Sequence, residues 1–135
     1  MLINDGDTLY RYARPDILPE GQDELPLSIF NDPEMSCDWM KYQKSPKCSP
    51  QVLHGKNMVI SITICEEIRN PRNPKRVGEV VSDWMQQVLY DPVDIVVNDP
   101  FTPNKSHSLI KGKKKCAVTT AIRKNSTFEV FLVVT

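Results

Sequence analysis

Residues 73–89 read Asn-Pro-Lys-Arg-Val-Gly-Glu-Val-Val-Ser-Asp-Trp-Met-Gln-Gln-Val-Leu. Val77, Val80, Val81, Trp84, Met85, Val88 and Leu89 recur at the spacing of one helical stripe. Asn73 suits an N-cap, and Pro74 suits the first helical position, where a missing N–H costs nothing. Asp91-Pro92 closes the segment, because the residue before proline avoids helical geometry. The pattern predicts an amphipathic helix of about four turns. Its stripe would bury on the order of 10 kcal/mol of transfer free energy before entropy is deducted.

Two strong strand patterns flank this segment. In Met58 to Cys65, Ile60, Ile62 and Ile64 share one face while Val59, Ser61 and Thr63 share the other. Val93 to Val97 is the second. A helix joining two parallel neighbours in one sheet makes a right-handed crossover.

Further out, Thr8 to Ala13 alternates as a short strand, with Leu9 and Arg11 on one side and Tyr10 and Tyr12 on the other. Residues 15–35 hold Pro15, Pro19, Pro26, Pro33 and many acids, a long loop that the apolar patch from Leu25 to Phe30 ties to the core. Met35 to Tyr42 fits either a short strand or a helical turn. Ser106 to Ile110 fits a short strand. Lys113 to Lys124 fits a short helix, with Asn125 suited to a left-handed position after it, and Val118, Thr119, Thr120 and Ile122 leave a strand as the competing reading. Thr127 to Thr135 carries a nearly continuous apolar run, which predicts a central strand. Trp84 belongs to the core, and Trp39, among Asp38, Met40 and Lys41, is expected to be a core residue or loop anchor, with a half-exposed ligand platform as the alternative.

The expected fold is therefore α+β (or α/β). A mixed sheet of about four or five strands is packed by one long amphipathic helix and one shorter helix. The 135 residues form one domain, long enough to bury a core without metals or disulfides. Hydrophobic residues make up 40 % and charged residues 25 %, a globular composition. The longest apolar stretch, Val130 to Val134, is far short of the roughly 20 residues of a membrane span. The first residues lack the basic and apolar regions of a signal peptide. Cys37, Cys48, Cys65 and Cys116 form no Cys-x-x-Cys pair and have no histidine at metal-ligand spacing, so thiols in a reducing cytoplasm are expected. A bend at Pro46 leaves a Cys37–Cys48 bridge as the alternative.

The formal net charge of zero hides a division. Residues 1–40 carry nine acids against Arg11 and Arg14, and the rest of the chain carries fifteen bases against eight acids. Lys105, Lys111, Lys113, Lys114, Lys115, Arg123 and Lys124 follow one another with no acid from Phe101 to Asn125. Such segregation concerns partners and association. The run Lys111-Gly112-Lys113-Lys114-Lys115 has the charge to contact phosphates, but no interleaved aromatics for stacking bases.

No phosphate loop, nucleophile elbow, zinc-protease motif or calcium loop occurs, and no cofactor or metal is expected. The expected function is a non-enzymatic accessory module that engages a polyanion or an acidic protein surface through the basic portion. Protein or nucleic acid is the expected partner, and no membrane. The alternative is a small metal-free ribonuclease or toxin-like enzyme. His54 and His107, both in lysine-bearing polar surroundings, would supply base and acid, and a lysine would stabilise charge.

Overall fold

The structure is a computed structural model and describes residues 1–18, 20–76 and 79–132. Its six strands are β1 (Thr8–Ala13), β2 (Glu34–Trp39), β3 (Met58–Thr63), β4 (Gln87–Tyr90), β5 (His107–Lys111) and β6 (Ser126–Val130). The helices are α1 (Pro50–Leu53), α2 (Glu66–Arg69) and α3 (Cys116–Lys124). One sheet runs in the order β4-β5-β2-β1-β3-β6, and every pairing in it is antiparallel. The fold is α+β with six strands, and the expected mixed sheet of four or five strands is corrected.

β1, the centre of the sheet, puts Leu9 opposite Trp39 on one side and Ile62 on the other. The isoleucine face of β3 behaves as its alternation predicts: Ile60, Ile62 and Ile64 are fully buried. Against them pack Val118 and Ile122 of α3, Ile68 of α2, and Leu25, Ile29 and Phe30 of the acidic loop. That loop is thus tied down as expected, through a 3-10 turn at Leu27–Phe30. The opposite face carries a smaller cluster of Tyr10, Val52 and Val59, with Tyr12 and Phe131 beside it.

Among the described residues of this stretch the long helix is absent. Asn73 does cap, but only a turn: its side chain accepts from the amide of Lys75 at 2.9 Å, and Arg76 N–H reaches Asn73 O at 3.2 Å. Val80 then pairs with Arg72 in an isolated antiparallel bridge. A 3-10 turn follows at Ser82–Trp84 before β4. Val77 lies outside the described residues. The stripe is rich in valine, whose branched side chain is stiff against a helical turn and at ease in extended chain. Extended pairing beside β5 therefore displaces the helix, leaves Val80, Met85 and Leu89 exposed, and buries Val88. Among the described residues every strand pair is antiparallel, so the expected parallel crossover does not form there.

Val93 to Val97 is likewise not a strand. Val93 makes one bridge to Asn104, and the chain then turns out at Asn98, whose φ is 68°. Ile95 and Val97 stand 75 % and 86 % exposed at the tip of this loop. Thr102 holds it, with its Oγ1 accepting from Val96 N–H at 2.8 Å and donating to Asp99 O at 3.1 Å.

β6 is an edge strand, not a central one, and pairs only with β3. Val130 and Leu132 are exposed, and residues 133–135 of the expected strand lie outside the described residues. β2 resolves the ambiguity at Met35 in favour of a strand. Trp39 is a core residue, as expected, because Tyr42 and Tyr90 pack their rings around it at 5.5 and 5.4 Å. Trp84 is only partly buried, packed against the core from its 3-10 turn. Helix α3 forms within the predicted range. Asn125 ends it with φ −100°, not in the left-handed region, because its amide donates back to Ala121 O at 2.8 Å. All four cysteines are free, which removes the Cys37–Cys48 bridge. No helix among the described residues is long and apolar enough to cross a membrane.

Candidate functional site

The basic segment begins where β5 ends. Gly112 has φ +152°, a backbone that side chains rarely adopt, and its N–H donates to Pro33 O at 2.9 Å. The amide of Gln86 lies over this glycine, its Nε2 donating to Trp84 O at 2.9 Å and to Lys113 O at 2.8 Å. The turn is therefore fixed by Gln86, just before β4, on one side and by the acidic loop on the other.

This architecture divides the seven expected cations. Lys111 pairs with Glu34 at 3.7 Å, Arg123 with Glu24 at 3.1 Å and Lys124 with Glu67 at 3.0 Å. Arg123 also donates to Leu25 O at 3.2 Å. Lys114 turns inward and donates to Ile110 O at 2.8 Å and Gly112 O at 3.0 Å. Burial lowers its pKa to about 8, against the pull of Asp32. Part of the acidic loop thus meets part of the basic segment inside the molecule. Lys105, Lys113 and Lys115 remain exposed, and among the described residues their side chains have no hydrogen-bond or ion-pair partner. Lys115 is the N-cap residue of α3, without a capping side-chain bond. A cation at that end opposes the helix dipole.

The histidines are held on separate elements. His54 ends α1, its Nδ1–H donating to Pro50 O at 2.7 Å, and its ring meets Phe101 edge-on at 5.2 Å. His107, on β5, donates from Nδ1 to Asp91 O at 2.8 Å, and Ser36 Oγ lies 3.2 Å from its Nε2. Among the described residues no hydrogen bond or ion pair joins the two, or joins either to a lysine.

A second constellation gave no signal in the sequence. Asp38 is only 4 % exposed. Tyr12 Oη donates to its Oδ2 at 2.7 Å and Asn104 Nδ2 to its Oδ1 at 2.8 Å. Burial, and then the Asp38 charge, push the Tyr12 phenol far above its usual pKa. Asp38 lines two cavities, one of about 80 Å³ with Arg11 and Lys56, the other of about 180 Å³ with Tyr42, Phe101 and Lys105. His107 is its register partner across the β2–β5 pair. Asp38 is one acid among nine in the first forty residues, and only the register of β1 on β2 brings Tyr12 to it. The exposed tip at Ile95–Val97 was missed for a related reason: an apolar run reads as a buried strand until its pairing is known.

No protein-family model, curated protein or solved structure matches this chain.

Proposed function

We propose that the protein is a non-enzymatic interaction module that engages a polyanion or an acidic protein surface through its basic C-terminal portion. The observation that carries this reading is the pair Lys113 and Lys115, exposed and without acidic partners at the N-terminal end of α3. Lys111, Arg123 and Lys124 are paired with acids and Lys114 is turned onto backbone carbonyls, so these two, with Lys105, are the cations of this segment left for a partner. Holding a lysine at the positive end of a helix costs a few tenths of a kcal/mol or more, a cost that a bound anion would reverse. The exposed tip at Ile95–Val97 adds an apolar contact that an isolated domain has little reason to display. The test is retention on heparin, RNA and an acidic peptide. Lys113→Glu/Lys115→Glu should abolish retention, and Lys111→Gln/Lys124→Gln should leave most of it. Equal losses from the two pairs would contradict the assignment.

A metal-free nuclease is the second reading. Its support is that His54 abuts Phe101, a wall of the Asp38 cavity, while His107 faces Asp38 across the strand pair. RNA incubated in chelator between pH 5 and 8 should then be cleaved, with the activity lost in His54→Ala and His107→Ala. Absence of cleavage, or cleavage that survives both changes, refutes it.

A further inference from the structure

Three polar side chains that are almost wholly buried meet at one cavity: Asp38, Ser49 and Ser106. Each keeps unused acceptor capacity. The carboxylate of Asp38 takes one hydrogen bond on each oxygen, from Asn104 and Tyr12, and offers about four acceptor positions in all. Ser106 spends its proton on Asn104 Oδ1 at 2.6 Å and keeps its lone pairs. Ser49 Oγ accepts from Gln51 N–H at 3.2 Å.

The charge at the floor is unbalanced. Arg11 and Lys56 line the smaller cavity that Asp38 also lines, yet among the described residues no cation comes within ion-pair distance of its oxygens. A carboxylate taken from water without a counter-ion is expensive, and a ligand that brings one recovers part of that cost. Tyr42 and Phe101 also line the cavity and give it aromatic surface for the carbon frame of a small ligand. Lys105 stands exposed at the same cavity. Its charge disfavours a polyamine and attracts an anionic far end. The volume of about 180 Å³, against roughly 30 Å³ for a liquid water, admits about half a dozen non-hydrogen atoms.

We propose that this cavity binds a small zwitterion of the amino-acid class, its primary ammonium on Asp38, Ser49 and Ser106 and its acid group towards Lys105. An ammonium supplies three donors for an acceptor-lined floor. The site is distinct from the exposed pair Lys113 and Lys115 and does not depend on it. A ligand this small binds with a Kd of about 1 mM.

The test is a titration of the isotope-labelled protein with glycine, L-alanine or β-alanine at constant ionic strength, followed by amide shifts. Methylammonium chloride and sodium acetate serve as half-ligands. At least one zwitterion should give saturable shifts at Ser49, Gln51, Asn104 and Ser106. Methylammonium should give weaker shifts at the same amides, and acetate none. Asp38→Asn, nearly isosteric, should weaken zwitterion binding at least tenfold. Lys105→Gln, at an exposed position that folding does not need, should weaken zwitterions several-fold and leave methylammonium unchanged. No saturable shift with any zwitterion, or equal shifts with acetate, overturns the proposal. So does a folded Asp38→Asn variant of unchanged affinity, or a Lys105→Gln variant that binds zwitterions as the parent does.

Discussion

Gly112→Ala should be far more costly than a surface turn substitution. A Cβ on Gly112 would lie 2.7 Å from Gln86 Nε2 and 2.8 Å from its Cδ and Oε1. Those separations are inside van der Waals contact. Gln86 is buried, so its amide can yield only by giving up the bonds to Trp84 O and Lys113 O. Two neutral hydrogen bonds contribute about 2 kcal/mol. Forcing alanine into φ +152° costs about another 1 kcal/mol. The expected loss is about 3 kcal/mol, or a Tm lower by about 10 °C for a domain of this size. Urea unfolding measures it as a lower midpoint at unchanged slope. In a Gln86→Ala background the clash is gone, so the same substitution should cost only the backbone share of about 1 kcal/mol. A loss below about 0.5 kcal/mol in the parent, or equal losses in both backgrounds, would refute the clash as the cause.

Tyr12→Phe should destabilise by about 1.5–3 kcal/mol, since it removes a donor from a buried carboxylate; an effect below about 0.5 kcal/mol would show that Asp38 does not need it. A thiol reagent at neutral pH should modify exposed Cys48 and Cys116 quickly and Cys37 only on unfolding, and a fast third thiol belonging to Cys37 would contradict its burial. The pH dependence follows from two opposed shifts. Burial lowers Lys114 to about 8 from 10.5, so across that window the unfolded chain holds a proton the folded one lacks, and stability rises with pH. Burial raises Cys37 to about 12 from 9.0, so the folded chain keeps a proton the unfolded one loses, and stability falls across that interval. Unfolding free energy should therefore climb just above pH 8 and decline at strongly alkaline pH, and Lys114→Arg, which stays protonated, should abolish the climb.

Local alternation was legible wherever one strand face is buried. Ile60, Ile62 and Ile64, and the split of β1 into Leu9 and Tyr10 faces, follow from period-two patterning alone. Helix α3 was legible because Val118, Ala121 and Ile122 fall on one stripe with polar residues opposite. Residues 73–89 were not, because the same valines satisfy both periods and the antiparallel partner, β5, lies some twenty residues further on. Nothing local reveals that partner. The apolar end of the chain misled for the converse reason: hydrophobicity suits a central strand, yet the sheet closes its order at β6. Of the candidate sites, the basic segment stood out in the sequence. Its partition into paired and free lysines did not, since Glu24 and Arg123 meet only through the docking of Leu25 beside α3.

The central claim is that a free cationic group survives this internal pairing and serves a polyanion. The salt dependence of binding to mixed-sequence duplex DNA tests it most directly. With Lys105, Lys113 and Lys115 available, the plot of log K against log salt should have a slope of about −3, falling to about −1 in Lys113→Gln/Lys115→Gln. Binding that is absent, or a slope unchanged by removing those two lysines, would contradict it.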